Sequence, residues 1–434
     1  MRKNIVLLVS LFLLLKSFFV SAQEEKPKND EILSLVKELR NSESEFKTNR
    51  IIKRIVNTNI SFDSLVEIIN SNEYFPLENN VGYTEWNYTL DSLNYTCLVF
   101  VPSNYSSQNK YPVSVILHGA VMSLNPISVK KYIKKDSYNT DSLDRIMVYP
   151  TGWIQCPWWD EKQINNLNYI LRRLKQTYNI DENDVSLAGI SDGGTGTVYQ
   201  AYFNVTPWSN FRPYIAYPSG LSQLSKIQLY TKNLNNKPFL FISSENDQLF
   251  PPEYIESFLS EMKTVECNYK YILAKGYKHE ISWIPIYEDT IGNFIEHNKR
   301  NPYPTKLFWQ TDNLKYNRNH WAIIDKLSNK EKLNYEEYPV VKNYNTDLKP
   351  SGLINVDCEG NIIKVKTINV KQYSLLLSPE LFDFNNPIEV YTNGELSFKG
   401  KVNKEIPLML EWFNKDLDRT MLFGTKVVIK LNNH

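Results

Sequence analysis

Three rhythms of apolar and polar residues follow one another along the chain. From residue 23 to about 75, apolar positions recur at helical spacing: Ile32, Leu33, Leu35, Val36 and Leu39, then Ile51, Ile52 and Ile55, then Leu65, Ile68 and Ile69. This predicts two or three short amphipathic helices. From Gly82 the spacing becomes strand-like, with Tyr83 to Leu90 and Tyr95 to Val101 divided by Asp91-Ser92, the form of an antiparallel hairpin. Short apolar runs bounded by turns come next: Val113 to Leu117, Ile146 to Tyr149, Val185 to Ala188, Tyr214 to Tyr217, Pro238 to Ile242 and Tyr269 to Leu273. Helical segments such as Leu167 to Thr177 and Tyr254 to Met262 lie between them, an alternation that builds an α/β domain with a mostly parallel sheet covered on both faces. After Asn301-Pro302-Tyr303-Pro304 the alternation fades. Strands are predicted at Ile362 to Val365, Tyr373 to Leu377, Ile388 to Thr392, Leu396 to Lys399 and Lys426 to Leu431, with Asn393-Gly394 as a hairpin turn.

The first residues stand apart. Arg2 and Lys3 precede an apolar run from Ile5 to Leu15, followed by Ser21-Ala22 and then Gln23-Glu24-Glu25, the layout of a cleavable export signal cut after Ala22. The run is well short of the ~20 residues that span a bilayer. The expected organisation is therefore a leader over 1–22, a helical segment over 23–80, an α/β domain over 81–301 and a β-rich module, read as a sandwich, over 302–434. A secreted or periplasmic protein without a membrane span is expected.

Composition narrows the function classes. With 434 residues, 42% hydrophobic and 13% aromatic, the chain supplies large cores and is not globally disordered. Its 49 Lys and Arg nearly balance 48 Asp and Glu, so no electrostatic footprint for nucleic acid exists. Four cysteines, Cys97, Cys156, Cys267 and Cys358, form no CxxC pair, which argues against zinc and leaves both disulfides and free buried thiols open. Only five histidines are available: His118, His279, His297, His320 and His434.

The sharpest chemical signal is Gly189-Ile190-Ser191-Asp192-Gly193-Gly194, after the run Val185 to Ala188 and before a helical segment through Val198, Tyr199 and Tyr202. A serine on a tight strand-to-helix turn projects its hydroxyl above the sheet edge, and the glycines allow close backbone approach. Ser191 is thus the candidate nucleophile. A serine hydroxyl needs a base, and the base needs an orienting carboxylate. Asp247 follows the run Pro238 to Ile242, with Glu245 two residues earlier as an alternative acid, and His279 follows Tyr269 to Leu273. His118-Gly119-Ala120 follows Val113 to Leu117, where an oxyanion hole would draw on the amides of Ala120 and Asp192. His118 is expected to orient that loop. The loop after Ile146 to Tyr149 carries Trp153, Trp158 and Trp159, a candidate stacking wall for an aromatic acyl group or a sugar ring. Trp283 is expected in the core.

These motifs resemble the α/β-hydrolase superfamily over roughly residues 82 to 300, most closely its secreted esterases of the feruloyl-esterase and polyhydroxybutyrate-depolymerase type. The resemblance implies a triad at Ser191, Asp247 and His279 and an acyl-enzyme mechanism with no metal or cofactor. It leaves the substrate open, because serine peptidases of the prolyl-oligopeptidase type share the motif set. An ester substrate, in some cases linked to polysaccharide, is the first expectation. A peptide substrate is the alternative, and an inactive scaffold working through its C-terminal module, by binding a sugar or a protein partner, is a third reading. The stretch from Tyr217 to Pro238 is too short for a large cap domain, so an open site is expected.

Overall fold

A computed structural model describes residues 29–76, 80–122, 144–328, 333–341 and 347–431; the leader expected over 1–22 lies outside them. The N-terminal helices α1 (29–40), α2 (Glu45–Asn57) and α3 (Phe62–Asn70) bury the apolar stripes read from the sequence. They pack on Met409, Leu410 and Phe413 of a C-terminal helix that the strand-like reading of that region missed.

The central sheet has eight strands: β1 (Gly82–Leu90), β2 (Leu93–Val101), β3 (Tyr111–Leu117), β4 (Ile146–Pro150), β5 (Ile180–Ile190), β6 (Phe211–Tyr214), β7 (Phe239–Ser244) and β8 (Tyr269–Ala274). Their spatial order is β1-β2-β4-β3-β5-β6-β7-β8. β1 and β2 form an antiparallel hairpin, turned at Asp91 (φ 50°) and Ser92 (φ 64°). β2 meets β4 antiparallel, and every pairing from β4 through β8 is parallel. β6 and β7 are buried at every position, as expected of strands covered on both faces. The covering helices include α4 (Glu161–Thr177), α5 (Asp192–Phe203), α6 (Pro252–Thr264) and α7 (Ile284–His297).

β6 lies earlier than the run Tyr214 to Tyr217 that the sequence suggests. Arg212 and Pro213 read as strand breakers, yet Arg212 is buried in the strand because its guanidinium bonds Ser114 Oγ (3.2 Å) and Ser186 Oγ (3.0 Å). The chain leaves the sheet at Ile215, which takes a φ of 40°.

Among its described residues the C-terminal region holds two larger sheets, and Val340–Val341 pairs antiparallel with Leu229–Tyr230 of the central domain. One has five strands, β9 (Lys306–Thr311), β12 (Gly352–Glu359), β13 (Ile362–Ile368), β15 (Ile388–Thr392) and β16 (Glu395–Gly400), in that spatial order. The other runs β10 (Arg318–Asn319), β11 (Ala322–Leu327), β14 (Val370–Leu377) and β17 (Thr425–Lys430). Their inner faces share one core, with Trp309, Ile354 and Val365 from the first and Ile324, Leu375 and Val427 from the second. Helix α8 (Ile406–Asp416) precedes β17. This region is joined to the central domain by buried ion pairs. Arg300 meets Asp418 at 2.7 Å, and Arg419 meets Glu182 at 2.5 Å.

Candidate active site

Each residue of the site sits at the carboxyl edge of a parallel strand. Ser191 follows β5 and takes φ 57°, ψ −119° as the cap of α5, a conformation that costs about 1–2 kcal/mol for a residue with a side chain. The neighbouring glycines explain how the chain turns there. A Cβ on Gly189 would stand 2.1 Å from Gly193 O, and one on Gly193 would stand 2.1 Å from Leu117 O. Both positions therefore require glycine, and β5, α5 and the end of β3 close up around the serine.

The candidate base and acid come from adjacent loops. His279 Nε2 lies 2.9 Å from Ser191 Oγ, and His279 Nδ1 lies 2.7 Å from Asp247 Oδ2. Asp247 is fully buried at its side chain, and its Oδ1 accepts the N–H groups of Leu249 (2.9 Å) and Phe250 (2.8 Å). With both oxygens engaged, the carboxylate is fixed against the Nδ1–H tautomer of the imidazole, which leaves Nε2 to accept the serine proton. The two loops are tied together where Asn246 N–H donates to Tyr277 O (2.8 Å). Trp283 is buried, and its indole N–H donates to Ser244 Oγ (3.2 Å), anchoring the chain just past His279. Glu245, the alternative acid, points elsewhere: its carboxylate holds Lys275 Nζ (2.8 Å) and Gly276 N–H (2.9 Å).

Against Ser191 runs the His118-Gly119-Ala120 loop. A Cβ on Gly119 would come within 3.0 Å of Ser191 Cβ, and Ala120 takes φ 55°. As the first residue of α5, Asp192 has an N–H outside the helical ladder. His118 holds the loop as expected. Its Nδ1–H donates to Gly119 O (2.6 Å) while Nε2 accepts the Gly152 N–H (3.1 Å). Burial lowers its pKa below the usual histidine value, so the ring stays neutral and keeps both bonds. One partner escaped sequence reasoning. The Asp192 carboxylate accepts the N–H of Val121 (3.0 Å), binding the end of the loop to the start of α5; the two residues are too far apart in sequence for any local signal.

The tryptophan wall requires correction. Trp158 is buried, its indole N–H donates to His118 O (2.7 Å), and a Cβ on Gly196 or Gly152 would strike it at 2.2 or 2.8 Å. Trp153 is buried against Tyr95, with ring centroids 5.3 Å apart. Both are framework residues, held inside because the loop folds back on α5 and on β2. Only Trp159 keeps a partly exposed ring. The aromatic residue against the base is instead Phe250, edge-on to His279 at 5.2 Å and stacked on Tyr217 at 5.4 Å. The four cysteines are buried and unpaired. Among the described residues no group of three His, Cys, Asp or Glu is arranged to hold a metal, and no helix is long and apolar enough to cross a membrane.

The sequence matches no protein-family model and no curated protein. Solved structures similar to part of it include a thermostable esterase (19% identity, 50% of this chain and 63% of that chain, TM-score 0.40). A putative dipeptidyl aminopeptidase IV from Bacteroides ovatus ATCC 8483 shares 14% identity over 50% of this chain and 36% of its own, with TM-score 0.39. Est1E from Butyrivibrio proteoclasticus shares 14% over 49% of this chain and 98% of its own, with TM-score 0.38. This chain thus spans less than two thirds of the first two. The fold is assigned on the chain's own strand order, its elbow after β5 and the succession Ser191, Asp247, His279. It is the α/β-hydrolase fold, extended by N-terminal helices and a C-terminal pair of β-sheets.

Proposed function

We propose that the protein is an exported serine hydrolase that cleaves carboxylic esters through an acyl-enzyme. The observation that carries this reading is the unbroken relay from Asp247 Oδ2 through His279 to Ser191 Oγ, with links of 2.7 and 2.9 Å. Its buried end is fixed by backbone amides, while the His279 side chain keeps 24% of its surface open to substrate.

In the first half-reaction His279 Nε2 takes the Ser191 proton as Oγ bonds to the ester carbonyl carbon. The carbonyl electron pair moves onto oxygen, facing the amides of Ala120 and Asp192, a type of contact worth about 3 kcal/mol per donor in the transition state. Asp247 stabilises the imidazolium. The tetrahedral species then expels the alcohol oxygen, which receives the proton from Nε2. Water repeats the sequence on the acyl-serine and releases the acid. An amide would add the need to protonate nitrogen before it departs, so an ester is the lesser demand on this relay. The leader pattern over 1–22 supports export.

The test is hydrolysis of short-chain and feruloyl aryl esters, beside a peptide anilide, by the chain from Gln23 onward. Expected is ester turnover that disappears in Ser191→Ala, together with covalent capture of a serine-directed phosphonate at Ser191. A folded wild type that leaves every ester intact and does not react with the phosphonate overturns the proposal.

A further inference from the structure

We infer that a cavity between α4 and the C-terminal region is a binding site for a divalent oxyanion, of the class of inorganic phosphate or a phosphate monoester. The cavity holds about 340 Å³, at the small end of the range of about 300–1,000 Å³ usual for ligand sites. It is separate from the triad. Arg300 in its wall is anchored on Asn183 near the start of β5, whereas Ser191 follows the end of that strand. The two points are about 25 Å apart along an extended chain.

The lining is unbalanced in charge. Six cations line the space, Arg172 and Lys175 from α4 with Arg300, Lys315, Arg318 and Lys415, against the carboxylates of Asp416 and Asp418. Pairing does not remove the imbalance. Arg318 and Asp416 cancel through a bidentate pair with both links at 2.8 Å. Lys315 and Lys415, exposed at the mouth, are met by Glu161 (2.6 Å) and Glu411 (2.7 Å). Asp418, however, serves two cations, with Oδ2 2.7 Å from Arg300 and 3.8 Å from Lys175. Among the described residues Arg172 has no carboxylate in ion-pair contact. Backbone carbonyls of Arg40, Ser42 and Asn414 hold it, and Glu43 acts on it only from farther away. Two positive charges are therefore left without a contacting carboxylate of their own.

Such a surplus is costly inside a protein, because a buried charge gives up hydration that only a partner restores. Lys175 is the sharpest case. Its side chain is 8% exposed, and of its three N–H groups only one has a hydrogen bond, to Asp416 O at 2.8 Å. Burial, and then Arg300, lower its pKa against the pull of Asp418, so an anion alongside would secure its charge. The Nε–H of Arg172 likewise has no acceptor among the described residues. Donors from α4, the loop after β9 and the end of α8 thus converge on one space from different directions. A tetrahedral oxyanion accepts from several directions at once, and charge-assisted bonds from guanidinium and ammonium groups are the strong ones. Asn168, Lys315 and Lys415 stand exposed at the rim, which gives a ligand its entry. Bound there, the anion would tie α4 to the C-terminal region.

The test is calorimetric titration of the chain from Gln23 onward with inorganic phosphate, glycerol 3-phosphate and succinate, in about 0.1 M KCl to screen diffuse charge effects. Saturable binding of phosphate at one site, weakened at least about tenfold by Lys175→Met or Arg172→Gln, supports the proposal. The urea midpoint should rise with phosphate in the wild type and stay flat in the variant. Added binding of glycerol 3-phosphate would extend the ligand to monoesters, and its absence would restrict the site to the free ion. Should both substitutions prevent folding, Lys315→Ala combined with Lys415→Ala, at the exposed mouth, should weaken binding about threefold. No saturation by either phosphate up to about 10 mM, affinity unchanged in the folded variants, or binding of succinate in their place overturns the proposal. None of these readouts uses ester hydrolysis, so their failure and that of the esterase reading are distinct.

Discussion

Asp247 and Asp418 are both buried aspartates, and each spends one oxygen on its own loop. Asp247 Oδ1 accepts two backbone N–H groups, and Asp418 Oδ1 accepts the Thr420 N–H (3.0 Å) and hydroxyl (2.8 Å). They differ in what meets the other oxygen. Asp247 faces an imidazole that can take and return a proton, in a ring partly open to solvent. Asp418 faces the Arg300 guanidinium, with Lys175 at 3.8 Å, and a guanidinium does not release its proton. A carboxylate of the same kind thus orients an imidazole against a serine in one place and forms a joint in the other.

The sharpest way to break that contrast is to neutralise each acid in turn. Asp247→Asn preserves the shape but presents an amide N–H to His279 Nδ1, favouring the wrong tautomer. The kcat for ester hydrolysis should fall about 10⁴-fold, as it should at least in Ser191→Ala. The urea midpoint of both variants should stay near the wild-type value. Coincident loss of stability would make Asp247 a joint as well.

Asp418→Asn should do the reverse. It leaves Arg300 and Lys175 buried without their carboxylate, a change that costs about 3–5 kcal/mol, while kcat per folded molecule should be retained. Acid should act through the same residue. Burial alone would raise the Asp418 pKa, but Arg300 and Lys175 outweigh it and hold the group below the usual carboxylate range. A depressed folded-state pKa stabilises the protein at every pH above the unfolded value near 4, and that contribution drains away as pH falls through the folded value. Urea midpoints measured from pH 6 down to pH 3 should therefore fall less steeply in Asp418→Asn than in the wild type.

The same contrast explains what could be read from the sequence. The candidate site was legible because its signals are local: glycines around Ser191, apolar runs before each loop, and an acid and a histidine after successive strands. The joint was not. Asp181, Glu182 and Asp184 open β5, yet charged residues do not look like a strand; Glu182 is tolerated there only because Arg419 reaches it from the far end of the chain. Arg212 hid the start of β6 in the same way. Helix α8 went unseen among the strands because its apolar face meets α1 to α3, and no short window contains both. Trp153, Trp158 and Trp159 were alike in sequence, and only packing against Gly152, Gly196 and Tyr95 separates the two buried rings from the partly exposed Trp159.

Asp192 stands between the two halves, a charged residue in the site whose carboxylate serves a structural bond. Asp192→Ala keeps the amide assigned above to the proposed oxyanion hole and removes the acceptor of the Val121 N–H. Leaving that donor unpaired costs about 1–3 kcal/mol. If the bond holds the loop in register with Ser191, kcat should drop about ten- to hundredfold with KM little changed. Loss of stability without loss of kcat would assign the bond to folding alone.

The smallest effect is the most discriminating about the acid itself. Glu245 lies two residues from Asp247 and is the alternative acid that the sequence offers. It is exposed and bonded to Lys275 and the Gly276 N–H, which hold its pKa below the usual glutamate value. A surface pair of this kind contributes little to stability, and its carboxylate has no bond to His279. Glu245→Gln should therefore leave kcat within about twofold of wild type, since surface substitutions away from the reacting groups seldom change more. A loss approaching that of Asp247→Asn would mean that the imidazole turns to Glu245 during turnover, and the assignment of the acid would pass to it.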